Sequence, residues 1–306
     1  MANSGVFSRE VNPSLIADLR ESAMFNEHLW GDITNIDWKD RVFPAIRKKR
    51  IDFYYSGGKL FSYDQNARFT THRKYASVFD VTNNYVSEQD LLTARPIANF
   101  CEAYGRIKAN CAMYAGVETQ GLSNAHKRSS FAACDDDVVV LDIEVALAGM
   151  DDGQDRATEL QPGGNSNRLD LLLYDKVNRS LRFYEGKHYS NPELWAEPGR
   201  RPKVVAQLHR YNEMLRRKDK QQQILVAYTS YVATMNSLFD LALPPPRTVE
   251  ETVVLLVFGY DDRQAPRIDE LLLSDDSLKG FRFRQKGDTR NSKFSANVLW
   301  QKVRQY

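Results

Sequence analysis

One segment, residues 168–190, limits the folds open to this chain more than any other. It reads RLDLLLYDKVNRSLRFYEGKHYS, two apolar runs separated by a polar turn, which is the pattern of a β-hairpin buried in a core. The turn is predicted to centre on residues 177–178, where an asparagine tolerates the left-handed backbone of a tight turn. Asp170 lies on the first strand and Glu185 and Lys187 lie on the second. The hairpin is therefore expected to carry three charges at the end away from its turn.

These charges are expected to converge on one face of the sheet. Asp170 and Glu185 are equidistant from the turn, which makes them cross-strand neighbours with Cβ atoms about 5 Å apart. Two carboxylates that close repel each other unless a cation lies between them or the pKa of one is raised. Mg²⁺ favours such oxygen ligands, and Lys187 can hold or help deprotonate a metal-bound water or stabilise charge on a phosphate. The structural alternative is a plain ion pair between Asp170 and Lys187.

Two flanking segments carry further polar residues of interest. Upstream, the apolar run DVVVLDIEVALAG contains Asp142 and Glu144, either of which can serve as an additional acid. Downstream, Gln207 and Tyr211 are four residues apart on a predicted amphipathic helix and therefore share one of its faces.

The run NRLDLLLYD…LRFYEGKHYS, followed by VVAQLHRYNEML, resembles the PD-(D/E)XK nuclease superfamily with its restriction-endonuclease-like fold. The resemblance covers residues 138–215 by motif and extends to 260 by element order. One departure is Leu169, which stands where the family often has proline.

The resemblance implies a set of site residues and a cofactor. Asp170, Glu185 and Lys187 match the catalytic hairpin, and Glu144 is the implied upstream acid, with Asp142 as the alternative. Gln207 and Tyr211 match the Q-x-x-x-Y element of the RecB-type branch. The implied metal is Mg²⁺, with Mn²⁺ as a substitute. The implied metal ligands are Glu144, Asp170, Glu185 and the carbonyl of Gly186.

The resemblance also implies an enzyme, a metal-dependent nuclease that hydrolyses the phosphodiester bonds of DNA in a setting such as phage defence. Two alternatives stay open: a catalytically inactive module that binds nucleic acid or protein, and a nuclease directed at RNA. The three cysteines are Cys101, Cys111 and Cys134, with no CxxC pair, so we expect no iron–sulfur cluster and no zinc.

The pattern along the chain predicts an α/β protein with a mixed sheet flanked by helices. We expect an N-terminal α+β region at 1–120, for recognition of substrate or partner, and a nuclease-like domain at 121–306. Two stretches, 121–130 and 149–167, are too polar to belong to a core. The apolar run at 252–260 is typical of a strand buried on both faces.

Charge gives a weaker indication of partners. The 42 Lys+Arg and 40 Asp+Glu residues nearly balance, so DNA, the expected partner, must bind through local basic patches. Basic candidates are Arg168 beside the hairpin and the run Arg47, Lys48, Lys49 and Arg50, which as a charge run is more often a solvated face. The N-terminal region can alternatively mediate contact with a protein partner or a second copy.

The sequence begins without the basic and apolar pattern of a secretory signal. No apolar run approaches the roughly 20 residues of a membrane helix. A cytoplasmic protein is the simplest expectation.

Overall fold

A computed structural model gives the structure of the protein and describes residues 7–79, 82–93, 99–147, 168–197, 200–272, 276–301 and 303–305. The chain forms two compact units, neither of which is one continuous segment. The meander unit comprises Arg9–Cys134 and Ser230–Ala242, and the hairpin unit comprises Met1–Ser8, Asp135–Thr229 and Leu243–Tyr306. The protein is thus mixed α/β, with one sheet in each unit and helices flanking them.

The meander unit contains a five-stranded antiparallel sheet with the strands in chain order. Its strands are β1 (Phe43–Arg47), β2 (Arg50–Tyr55), β3 (Gly58–Asp64), β4 (Arg68–His72) and β5 (Tyr85–Ser87). The sequence Ser56-Gly57-Gly58, between the aromatic-rich runs IDFYY and KLFSY, predicts a hairpin, and the β2–β3 turn confirms it. Gly57 has φ +91°, and a Cβ there would lie 2.5 Å from the backbone of Thr119, so the turn requires glycine.

Six described helices belong to the meander unit: α1 (Pro13–Glu21), α2 (Trp30–Ile33), α3 (Arg73–Ala76), α4 (Glu88–Thr93), α5 (Phe100–Met113) and α6 (Val117–Arg128). The sequence Asn12-Pro13-Ser14 predicts a helix start. The side chain of Asn12 confirms it by accepting a hydrogen bond from the backbone N–H of Ser14 at 3.0 Å, which caps α1. The pattern from 87 to 113 also predicts a helix with a break at Pro96, which lies outside the described residues.

The hairpin unit is built on a seven-stranded mixed sheet, whose main path runs β12-β11-β10-β8-β7-β6, with β9 beside β8. Its strands are β6 (Val138–Ala146), β7 (Arg168–Asp175), β8 (Ser180–His188), β9 (Thr248–Val249), β10 (Val254–Phe258), β11 (Arg282–Lys286) and β12 (Arg304–Gln305). Every residue of β10 is buried, and β10 runs parallel to both β8 and β11. The predicted doubly buried strand at 252–260 is therefore confirmed.

The central feature of this sheet is the β7–β8 hairpin. Its turn follows Asp175, whose Oδ1 accepts hydrogen bonds from the N–H groups of Val177 at 3.0 Å and Asn178 at 2.9 Å. The left-handed residue of the turn is Arg179, with φ +56°, and not the predicted asparagine. The turn therefore forms where it was predicted, but Asp175 stabilises it through hydrogen bonds and Arg179 adopts its left-handed conformation.

Described helices of the hairpin unit's range are α7 (Lys203–Leu215), α8 (Lys218–Phe239), α9 (Ala265–Arg267) and α10 (Ala296–Trp300). The apolar segment QILVAYTS is compatible in sequence with either a helix or a short buried strand, and it lies inside α8. The boundary between the units falls within α8, after Thr229. No helix in the described ranges combines the length and apolar character needed to cross a bilayer.

Two sequence expectations differ from the structure. The units separate at Cys134, and the expected boundary near residue 120 lies inside α6. The stretch 121–130 is mostly helical and contributes Leu122, Ala125 and His126 to the core. A helix that is polar on average can still bury one face, and these three residues lie on the buried face of α6. The second polar stretch, 149–167, lies outside the described residues.

The meander sheet also buries a charge cluster around Asp52, which is 1% exposed. The carboxylate accepts hydrogen bonds from Arg50 Nε at 3.0 Å and from Ser62 Oγ at 2.7 Å, and it lies 3.8 Å from Arg47 Nε. Burial raises the pKa of Asp52, but the charges of Lys59, Arg50 and Arg47 outweigh burial and hold the pKa well below its usual range.

The variant Asp52→Asn removes the anion and leaves the buried guanidinium groups uncompensated. We expect the free energy of unfolding at pH 7 to fall by about 3 kcal/mol, as for other broken buried pairs. Since the folded-state pKa is depressed, the carboxylate stabilises the fold above its unfolded pKa of about 4 and loses that effect as the pH falls. Urea denaturation at several pH values should show the difference between wild type and variant shrinking below about pH 4. The exposed-carboxylate control Glu21→Gln should change stability by less than about 0.5 kcal/mol at every pH.

Candidate active site

The hairpin register brings Asp170 and Glu185 together. The β7–β8 ladder ends with the pair Leu171 and Tyr184, so the next position places Asp170 opposite Glu185. Asp170 Oδ2 accepts a hydrogen bond from the backbone N–H of Gly186 at 2.7 Å. This bond fixes the carboxylate of one strand against the backbone of the other.

Glu144 extends the row of acids to a third strand. In the β6–β7 ladder Ile143 pairs with Leu171 and Val145 with Leu169, which places Glu144 opposite Asp170. Glu144 has φ +48°, a left-handed conformation that a non-glycine residue adopts at some energetic cost. Its carboxylate lies 3.7 Å from the guanidinium of Arg168.

Asp142, the alternative upstream acid, belongs to the core. It is 0% exposed, and its Oδ2 accepts a hydrogen bond from the hydroxyl of Tyr228 at 2.8 Å. Its Oδ1 accepts from the N–H of Ile143 at 2.8 Å. The structure therefore places Glu144, and not Asp142, opposite Asp170 in the row.

Lys187 lies on the same face and is buried between two acids. Its Nζ is 3.0 Å from Glu185 Oε1 and 2.8 Å from Glu193 Oε2. Burial lowers the pKa of Lys187, but the charges of Glu185 and Asp170 and the hydrogen bond to Glu193 outweigh burial and raise the pKa above its usual range. At neutral pH the lysine is therefore an ammonium ion and donates its protons to these acids.

Glu193 was missed by sequence reasoning. It lies on a short 3₁₀ turn, Pro192–Leu194, which begins when the side chain of Asn191 accepts a hydrogen bond from the N–H of Glu193 at 2.9 Å. The Asn-Pro pair signals a turn start in the sequence. The contact of this turn with Lys187 is a tertiary contact, and no local sequence pattern predicts it.

The helix α7 packs over the row of acids. Tyr211 is 2% exposed, and its hydroxyl donates a hydrogen bond to the carbonyl of Arg168 at 2.9 Å. Burial, followed by the charge of Glu185, raises the pKa of Tyr211, and a hydrogen bond with Gln207 lowers it in part. The predicted pair therefore shares one helix face, and the tyrosine holds the first residue of β7.

The chemistry of the donor set is that of a hard cation site. Four carboxylates (Glu144, Asp170, Glu185 and Glu193) face two cations, Lys187 and Arg168, and the excess is negative. Carboxylate oxygens suit Mg²⁺, and each oxygen that accepts one hydrogen bond keeps a lone pair for a metal. Within the described residues, the ligand atoms of the three acids on β6, β7 and β8 are not all within 4.8 Å of one another. The residues fit a divalent ion in kind, and binding requires the carboxylates to move closer together.

The basic run of the meander unit does not present four cations to solvent. Arg47 is 3% exposed and, like Arg50, is engaged by Asp52, so these two arginines stabilise the sheet. Lys48 and Lys49 are exposed on the β1–β2 turn. Of the five basic residues expected to contact nucleic acid, Arg47 is buried, Arg50 is half-buried and bound to Asp52, Arg168 is half-buried at the acid row, and Lys48 and Lys49 are exposed.

Comparison of the chain with protein-family models, with curated proteins and with solved structures finds no match.

The variant Lys187→Met leaves Glu185 buried beside an apolar side chain. We expect it to reduce the free energy of unfolding by about 3 kcal/mol, and we expect the double variant with Glu185→Gln to recover at least half of this loss. Chemical denaturation of the four proteins of this cycle measures the coupling. The exposed pair Lys218–Glu251, at 2.9 Å, provides the matched control, and Lys218→Met should cost less than about 1 kcal/mol. Additive effects of the two buried substitutions would contradict the ion-pair geometry.

Proposed function

We propose that the chain is a metal-dependent nuclease that hydrolyses the phosphodiester bonds of DNA, with its active site on the β6–β7–β8 face of a restriction-endonuclease-like hairpin unit. The observation that carries the proposal is the register, which aligns Glu144, Asp170 and Glu185 across three neighbouring strands. Lys187 lies in contact with the last of these acids.

The metal would be held by Glu144, Asp170, Glu185 and the carbonyl of Gly186. Mg²⁺ or Mn²⁺, when bound, supplies Lewis-acid polarisation of the scissile phosphate and lowers the pKa of a coordinated water. The negative excess of the cluster favours a divalent cation at this place and disfavours a fifth acid.

Lys187 acts in this proposal as a donor. Its raised pKa keeps the ammonium charged while Glu185 and Asp170 are ionised, so it is unsuited to removing a proton. An ammonium can donate hydrogen bonds to an attacking water or to a phosphate oxygen, and thereby fix the water's position or stabilise charge in the transition state. Glu193, which shares the lysine, orients the ammonium.

Gln207 and Tyr211 are positioning residues in this proposal. The tyrosine hydroxyl holds the carbonyl of Arg168, two residues before Asp170, and the glutamine bonds to the tyrosine. Removing either group would loosen the start of β7 and shift Asp170 and Arg168 relative to β8. A catalytic constellation loses rate when such support is lost, because displacements near 1 Å are costly.

The acid row repels a polyanion, so DNA must be held by cations near it. Arg168 lies 3.7 Å from Glu144 of the row, and its guanidinium is partly exposed. Lys48 and Lys49 of the meander unit are further candidates for contact with the phosphate backbone. The meander unit would then take the role of substrate or partner recognition.

A catalytically inactive module of the same fold is the second candidate function. It is favoured by the ion pairs of Lys187 with both Glu185 and Glu193, which satisfy the lysine without a metal. In such a protein the cluster is structural, and nucleic acid or a protein is bound elsewhere on the surface.

One experiment separates these functions: incubation of the purified full chain with single- and double-stranded DNA and RNA, with Mg²⁺, Mn²⁺ or a chelator. We expect DNA cleavage that needs the metal. Asp170→Asn and Lys187→Gln should each lower the rate by at least about 100-fold, the scale of loss for a group acting in the transition state.

The exposed surface variant Asp262→Asn serves as the control and should cleave at the wild-type rate. Equal activity of Asp170→Asn and wild type would remove the acid row from the mechanism. If the wild-type protein cleaves no substrate and binds no metal, the inactive module is favoured. Cleavage of RNA alone would identify RNA as the substrate.

A further inference from the structure

A separate group of metal-binding side chains lies in the meander unit. Glu27 and His28 belong to a π-helical turn, Phe25–Leu29, and Cys101 belongs to the first turn of α5. One carboxylate oxygen, one imidazole nitrogen and the sulfur all lie within 4.8 Å of one another. The cysteine is remote from the other two residues in sequence, so no motif spacing could predict the group.

The ligand types select the kind of metal. A thiolate, an imidazole and a carboxylate form a mixed S, N and O set, which suits a borderline transition metal such as Zn²⁺ and not Mg²⁺ or Ca²⁺. With zinc–ligand bonds of about 2.0–2.3 Å, the ligand atoms of a tetrahedral site lie about 3.5 Å apart. The observed separations exceed this by at most about 1.3 Å, a distance that side-chain rotation closes. Three protein ligands leave a fourth position for water.

The surroundings of the sulfur are negatively charged. Burial, followed by the charges of Glu27, Glu88 and Glu102, raises the pKa of the Cys101 thiol. Glu88 is itself fixed, because its Oε1 accepts a hydrogen bond from the backbone N–H of Phe100 at 3.0 Å. A divalent cation that binds the sulfur must therefore displace the thiol proton, and its positive charge then stabilises the thiolate beside these acids.

The ligands are held in place and remain accessible. The His28 ring stacks on Tyr104 with centroids 4.6 Å apart and an interplanar angle of 11°. Phe25 and Leu29 are buried and anchor the π-turn, whereas Glu27 is exposed and both His28 and Cys101 are partly exposed. Single π-turns are rare and occur frequently at functional sites, because they turn side chains away from the usual helical spacing.

We propose that Glu27, His28 and Cys101 bind one Zn²⁺ ion, which ties the π-turn to the start of α5 and keeps a fourth coordination position open. This zinc site revises the expectation of no zinc that the cysteine spacing gave. It is independent of the nuclease proposal, since its residues belong to the meander unit and the acid row belongs to the hairpin unit.

The test is a Co²⁺ titration of the metal-free full chain, because Co²⁺ occupies zinc sites and shows a charge-transfer absorption only when a thiolate binds it. We expect the absorption to saturate at one equivalent and to be lost on addition of Zn²⁺. Cys101→Ser should remove it. Cys134→Ser is the matched control, since this cysteine is also partly exposed, and it should keep the absorption. Asp170→Asn should keep it as well, because the acid row contains no sulfur.

The second measurement is thermal unfolding with and without Zn²⁺. Zinc should raise the Tm of wild type and Cys134→Ser by more than that of Cys101→Ser, since the site gains from binding only in the folded chain. If Cys101→Ser is unfolded by circular dichroism, His28→Gln and Glu27→Gln replace it. Each should weaken Co²⁺ binding by at least about tenfold, the loss that follows removal of even an outer-shell partner. No thiolate absorption in wild type, or unchanged binding in the ligand variants, overturns the proposal.

Discussion

The structure of the hairpin unit depends on the two-sided hydrogen bonding of β8. This strand pairs antiparallel with β7 over residues 180–184 and parallel with β10 over residues 184–188, so the two pairings together hold its whole length. Side chains alternate between the two faces of the sheet along a strand, so the pairing of β8 fixes the face on which each side chain lies. Glu185 and Lys187 therefore lie on the face opposite to Tyr184, and both charged side chains are buried.

Burying these charges is tolerable because each has a partner within reach. An isolated carboxylate or ammonium in such a place would change its protonation state, whereas a lysine between two glutamates keeps its charge and raises its pKa. The cluster is thus internally stabilised while its total charge stays negative. The negative excess attracts cations, and the protonated lysine donates hydrogen bonds instead of accepting a proton.

The hairpin and the strand at 252–260 could be predicted because their signals are local: apolar runs, a polar turn and the period of a strand. The alignment of Asp170 with Glu185 followed from counting residues outward from the turn, and the ladder has that register. The role of Glu193, the burial of Arg47 and the ion pair of Arg50 with Asp52 could not be predicted, since each depends on a side-chain contact that the sequence pattern does not indicate. For the same reason the spacing of the cysteines could not predict the Glu27–His28–Cys101 group.

The discontinuity of the meander unit has a consequence for the order of events during synthesis. The rings of Tyr231 and Phe239, from the end of α8, pack against Phe131 and Phe25, with centroids 6.2–6.3 Å apart. The ribosome must therefore synthesise the whole β6–β7–β8 segment of the hairpin unit before the meander unit can complete its core. Nascent chains up to about residue 230 hold an unfinished aromatic cluster, and neither unit can be cut from the chain as one uninterrupted fragment.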